Sequence, residues 1–169
     1  MTGPCFVDAN VFVYAQDARD PRKHRQAEAW IDSLWGARQG RTSAQALAEF
    51  YAVATRKLKI APDTAWQEAE RYFGWKPLAI DEALLRRARE IEMRYRLSWW
   101  DSTIVAAAQL QDCVVLLTED LQDGMAFGDV TVRSPFTFEV REAPASYAAA
   151  PLAVSRHRPR GRPRRIAVA

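Results

Sequence analysis

Cys113-Val114-Val115-Leu116-Leu117 is an unbroken apolar run bounded by polar residues on both sides. A run this short and this apolar reads as a strand buried on both faces, and such strands belong to parallel sheets covered by helices. Cys5-Phe6-Val7 repeats the theme near the start of the chain. Between these runs, stretches with helical periodicity alternate with short extended pieces. That alternation is the signature of an α/β architecture.

The helical stretches can be placed from caps and spacing. A helix follows Asn10 and carries Val11, Val13 and Tyr14. Pro21 precedes a second, with Ala27, Trp30, Ile31, Leu34 and Trp35 on one face and Gly40 as its stop. Arg41 to Ser43 reads as a minimal strand or extended link. Ser43 then caps a helix to about Leu58, with Leu47, Phe50, Tyr51, Ala54 and Leu58 inward. Pro62 suits the first turn of a helix that runs through Trp66, Ala69 and Phe73, with Trp66 on an apolar face that reads as core or interface. Lys76 to Ile80 reads as a strand. Asp81 caps the next helix, with Leu84, Leu85, Ala88 and Ile91 inward, and Ser98 caps a nearly all-apolar helix from Trp99 to Leu110. Val130 to Val132 is the last strand, and no internal repeat is visible.

At 169 residues and 49% hydrophobic, the chain can bury one domain's core. Residues 1–142 are expected to form that domain. Residues 143–169 are rich in Ala, Pro and Arg, and are expected to be a disordered tail. The formal charge of +3 conceals an asymmetry. Arg156, Arg158, Arg160, Arg162, Arg164 and Arg165 lie in a stretch without a single acid, and without them the chain is mildly acidic. No apolar run approaches the ~18 residues of a membrane span, and no secretory leader is recognisable. Cys5 and Cys113 sit in strand-like runs and read as buried free thiols of a reducing compartment, so a cytoplasmic protein is expected.

Four acids occupy places where an apolar run meets a polar break: Asp8, Glu49, Asp101 and Asp120. Asp8 and Asp120 follow the two best strands. In a parallel sheet the carboxyl ends share one edge, where α/β folds place their ligands. Carboxylates gathered there repel each other unless protonated or neutralised, and oxygen-only ligands suit Mg²⁺ or Mn²⁺. Each acid also has a plainer explanation. Asp8 can simply cap the next helix, Ser98 and Asp101 form a capping box, Glu49 can lie on a solvated helix face, and Asp120 can be a loop residue.

In combination, these contexts resemble the PIN-domain nucleases, and especially the VapC-like toxins of toxin–antitoxin pairs. The similarity runs from Phe6 to about Phe136. It rests on Asp8-Ala9-Asn10-Val11, on Ser43 to Glu49, on Trp100-Asp101-Ser102-Thr103, and on Leu116-Leu117-Thr118-Glu119-Asp120 with Asp123 shortly after. The resemblance implies a three-layer α/β/α sandwich around a short, mainly parallel sheet. It implies an endoribonuclease that uses Mg²⁺ or Mn²⁺, an RNA substrate and a cognate antitoxin, and a homodimer is expected. Asp8, Glu49 and Asp101 match the family's principal metal-binding acids and Asp120 the more variable fourth. Asn10 and Thr118 match supporting polar residues, with Asp123 a further candidate.

The residue types suit that chemistry. Phosphodiester hydrolysis builds negative charge on the phosphoryl oxygens, which a carboxylate-held divalent metal offsets without a protein nucleophile. His24 and His157 are the only histidines, so no His-based triad or zinc set is evident. Trp99 and Trp100 flank Asp101, and one of them is a candidate to line a substrate groove. Pro159-Arg160-Gly161-Arg162-Pro163-Arg164-Arg165 looks like an AT-hook, but reads first as a general polybasic strip that attracts nucleic acid by counterion release. DNA contact through this tail is one expectation from it. The alternatives to a ribonuclease are a nucleic-acid-binding module acting through the tail, a DNA-directed or structure-specific nuclease and, last, a phosphoacceptor receiver domain.

Overall fold

Strand β1 (Cys5–Val7) is buried along its whole length, as its composition requires. The computed structural model describes residues 3–137, in which β1 is followed by α1 (Ala9–Tyr14), α2 (Pro21–Ala37), β2 (Gly40–Arg41), α3 (Ala44–Arg56) and α4 (Pro62–Arg71). A 3₁₀ turn (Tyr72–Trp75), α5 (Glu82–Tyr95), α6 (Trp99–Leu110), β3 (Val115–Leu117), β4 (Ala126–Phe127) and β5 (Val130–Arg133) complete the order. The sheet runs β2-β1-β3-β5-β4. Its first four members are parallel, and β4 folds back antiparallel on β5.

Alternation along the strands divides the core in two. Cys5, Val7 and Leu117 face one side, where α1, α2, α3 and α4 supply Phe12, Trp30, Leu34, Phe50 and Ala69. Phe6 and Leu116 face the other, against α5 and α6 with Leu84, Ala88, Ile91 and Val105 to Ala108. The result is the expected three-layer arrangement with a mainly parallel sheet. The small residues Ala106, Ala107 and Ala108 are essentially inaccessible and let α6 lie close under the strands. Burial pushes the Cys113 thiol up to about 12 and raises Cys5 as well, so both free cysteines are unreactive core residues.

The predicted caps form. Ser43 accepts from the Ala46 N–H, Asp81 from Leu84 and Ser98 from Asp101. Pro62 opens α4 as expected. Elsewhere the structure corrects the sequence expectation. Helix α2 stops at Ala37 because Arg38 turns left-handed (φ 58°) and closes the last carbonyls, not because of Gly40. Gly40 instead begins β2, where a β-carbon would come within 2.4 Å of the Trp75 ring. Lys76 to Ile80 forms no strand but a single parallel bridge of Leu78 with Ser43, since Pro77 removes a ladder donor. Helix α4 turns Ala65 and Ala69 inward, leaving Trp66 and Phe73 half exposed, and Leu85 of α5 is likewise exposed. The two-residue β4 is too short to show a period.

Among the described residues no helix is long and apolar enough to cross a membrane. The expected domain limit at 142, and the tail with Arg160, Arg162, Arg164 and Arg165, lie outside the described residues.

Candidate active site

The carboxyl ends of β1 and β3 bring Asp8 and Thr118 side by side. The backbone fixes both: the Asp8 N–H donates to the Leu117 carbonyl (3.1 Å), and the Thr118 N–H to the Arg133 carbonyl (3.2 Å). Asp8 is only 6% exposed. Its Oδ1 accepts from the Ala9 N–H at 2.7 Å, which caps α1. Its Oδ2 accepts from the Thr118 hydroxyl at 2.8 Å and from Asn10 Nδ2 at 3.2 Å. The same Asn10 amide lies 2.8 Å from Thr118 Oγ1 and 3.0 Å from Asp120 Oδ2. Asp120 is further held through its N–H, which donates to Thr118 Oγ1. One amide group thus joins two acids that are far apart in sequence.

Burial pushes the Asp8 carboxyl up to about 7, and the nearby charges of Asp120 and Glu49 push the same way, against the hydrogen bonds from Thr118 and Ala9. Glu49 is therefore within electrostatic reach of Asp8. It stands on the second turn of α3, exposed, and a relay holds it there. Thr103 of α6 donates to Gln45 Oε1, and Gln45 Nε2 donates to Glu49 Oε1 at 2.9 Å. Gln45 and Thr103 are both buried. Neither is a candidate from the sequence alone, although the four-residue spacing of Gln45 and Glu49 on a helix is a signal for such a pair.

Asp101 lies in the first turn of α6, a helix that ends where β3 begins, so its start points back toward the carboxyl edge. Its Oδ2 accepts from the Ser98 hydroxyl at 2.7 Å. The capping box expected of this pair is real, and so is the cap at Asp8. The charges that act most on Asp8 are those of Asp120 and Glu49. As the side chains stand, no three His, Cys, Asp or Glu residues among those described gather closely enough to hold one ion. Asp8 and Asp120 are joined through Asn10.

The neighbouring residues sort themselves by partner. Glu119 is neutralised by Lys23, whose Nζ lies 2.6 Å from Glu119 and donates to the Tyr14 hydroxyl at 3.0 Å. Asp123 accepts from the Ser134 N–H at 2.8 Å and faces Arg133, so it clamps the loop before β4. Trp100 is largely exposed beside Asp101, while Trp99 packs partly into the core.

The donor set is chemically suited to a hard divalent cation. Glu49, Asp101 and Asp120 each spend one carboxylate oxygen on a tethering hydrogen bond, and among the described residues the other accepts nothing. The Asn10 Oδ1 is buried with no hydrogen-bond partner. A buried, unmet acceptor beside oxygen-only ligands calls for a positive species.

Comparison with known proteins bears on the fold and the family. A search of curated protein sequences finds no significant relative. Among solved structures, VapC20 of Mycobacterium tuberculosis, described as a sarcin-ricin loop cleaving toxin, has the same fold. The TM-score is 0.51 and the identity 20%, over 66% of this chain and 86% of that one. The PIN domain family model matches residues 5–123, a span that contains every acid of the site. This chain belongs to the PIN domain family.

Proposed function

We propose that this protein is a metal-dependent endoribonuclease, the toxic component of a toxin–antitoxin pair, working in the cytoplasm with Mg²⁺ or Mn²⁺. The observation that carries this is the hub at the carboxyl edge. A helix cap needs one oxygen of Asp8 and no link to an acid from another strand. Here Asp8 is buried, engaged at both oxygens, and tied by Asn10 to Asp120.

Asp8, Glu49, Asp101 and Asp120 would hold the ion. Glu49 and Asp120 are exposed, so they can re-orient by a rotamer change at small cost. Divalent metal, when bound, supplies positive charge at the phosphoryl oxygens and lowers the pKa of a coordinated water. The chain's own residues prepare that site. Thr118 and the Ala9 N–H fix the direction of the Asp8 carboxylate. Asn10 holds Asp8 and Asp120 together against their repulsion, Gln45 aims Glu49, and Ser98 aims Asp101. Lys23 removes the charge of Glu119 from the set. Such outer partners commonly matter as much as geometry does.

VapC20 is named for cleaving the sarcin-ricin loop, and with family membership this supports an RNA substrate and an antitoxin partner. Edge-to-face contacts of Tyr51 with Trp66 and of Trp66 with Phe73 form an exposed aromatic patch that supports a homodimer. The test is direct. Full-length protein is expected to cut single-stranded RNA with Mg²⁺ or Mn²⁺, to stop in EDTA, and to leave duplex DNA intact. Undiminished cleavage in EDTA, or by Asp8→Asn, defeats the proposal.

A further inference from the structure

The opposite edge of the sheet has its own construction. A cavity of about 660 Å³ opens at the amino end of β2, and Arg38, Arg41 and Lys76 line it with no acid among its lining residues. Six other Lys and Arg side chains on this fold form ion pairs at 3 Å or less; these three form none among the described residues. A cation at a helix C-terminus is ordinary, and Arg38 closes α2 while Lys76 closes the 3₁₀ turn. That explains each position singly, not the meeting of three around one opening. Arg38 (φ 58°) and Lys76 (φ 53°) also hold left-handed backbone that glycine would adopt without strain.

The remaining wall is aromatic. Trp35 and Trp75 line the cavity with ring centroids 5.2 Å apart. Glycines let them lie this close to the backbone: a β-carbon on Gly74 would come within 2.9 Å of Trp35, and one on Gly40 within 2.4 Å of Trp75. Trp75 is only 4% exposed, so the aromatic face open to a ligand belongs to the partly buried Trp35, which Trp75 backs from the core. The cavity's size is that of a small-molecule site, roughly 300–1,000 Å³. Its chemistry asks for a ligand with a flat aromatic part, hydrogen-bond acceptors and concentrated negative charge. A nucleotide unites those properties, since bases pack on indoles and phosphates attract arginine and lysine.

We infer that the amino edge of the sheet carries a second site that binds a nucleotide, with the base against Trp35, backed by Trp75, and the phosphate on Arg38, Arg41 and Lys76. The ligand is either a free mononucleotide or one unit of an RNA strand. The site is independent of the acid edge, and it is measured with divalent metal withheld, so its failure leaves the proposed nuclease untouched.

The experiment is a titration of full-length protein with adenosine monophosphate and with a short single-stranded oligonucleotide, followed by indole emission. Saturable binding is expected. Arg38→Gly with Lys76→Gly, which suits the left-handed backbone at both positions, is expected to weaken it at least ~10-fold, as loss of charge-assisted hydrogen bonds does. Arg86→Ala with Arg89→Ala on α5 removes equal charge elsewhere and is expected to leave affinity within ~2-fold, as for surface ion pairs. A response to the mononucleotide identifies a small-molecule site, and a response to the oligonucleotide alone identifies a strand-gripping one. Should the double variant fail to fold in a melting control, Arg41→Gln is read in the same way. No saturable binding of either probe, or equal weakening by the α5 control pair, overturns the inference.

Discussion

The two ends of the parallel strands carry opposite chemistry held in opposite ways. At the carboxyl end, Asp8, Asn10, Thr118 and Asp120 are stitched by hydrogen bonds of 2.8–3.2 Å, and the central acid is buried. At the amino end, Arg38, Arg41 and Lys76 stand without ion partners beside tightly packed indoles. Like charges that must be kept together need an internal scaffold of donors, and Asn10 provides it. Cations that point into an open cavity are screened by water and need none. The contrast shows where the fold concentrates strain: at one buried carboxyl rather than across the whole charged surface.

The largest expected effect breaks the carboxyl end alone. Asp8→Asn should reduce RNA cleavage by ~10²–10³-fold, the scale of losing a preorganised electrostatic group. Nucleotide affinity at the amino edge should not change. If it falls in parallel, the two ends are not separate devices.

The next effect concerns pH. Asp8 titrates near 7 in the folded chain against an ordinary 3.8, so folding takes up a proton between those values. The linked stability is full below pH ~4 and is lost as pH rises through ~7, by up to ~4 kcal/mol at 1.36 kcal/mol per unit. Urea titrations in EDTA from pH 4 to 8 should show this decline in the wild type and a flatter profile in Asp8→Asn. Millimolar Mg²⁺ should restore stability at pH 8 by mass action. Parallel profiles for the two proteins would remove Asp8 as the source.

A smaller loss is expected at the relay between helices. Gln45→Ala leaves Glu49 without its donor and should cost ~10–100-fold in metal affinity or cleavage, as for other outer partners of metal ligands. Wild-type metal titration curves from this variant would show that Glu49 needs no positioning. The smallest effect belongs to the tail. Ending the chain after Ala153 should weaken RNA binding and flatten its salt dependence, yet leave turnover at saturating RNA nearly unchanged. A collapse of turnover with the domain still folded would place a needed residue among the arginines.

What could be read from the sequence was whatever depends on near neighbours. The caps Ser43, Asp81 and Ser98 announce themselves because a side-chain oxygen and the helix it closes are three residues apart. Strands β1 and β3 are legible because burial on both faces demands unbroken apolar residues. Between core and interface the sequence could not choose for Trp66: it shares helical spacing with the buried Ala69, yet it lies half exposed, while the buried aromatic cluster is made by Phe12, Tyr72 and Trp75. For the site, the sequence offered the candidate acids with Asn10 and Thr118 beside them, but not the relay through Gln45 and Thr103. Thr103 reaches Gln45 across 58 positions, a separation at which no local pattern survives. The link of Asp101 to Ser98, only three residues away, was by contrast legible as a capping box.

The seat of Trp75 on Gly40 has an evolutionary corollary. These two positions form a lock in which neither partner can vary alone: any side chain at the first collides with the ring, and loss of the ring opens a void over β2. Among relatives that preserve this strand, a residue larger than glycine at position 40 should therefore arrive only together with something slimmer than indole at position 75. The pair would then be inherited as one character, and its state in a relative would report whether the amino-edge cavity exists there at all.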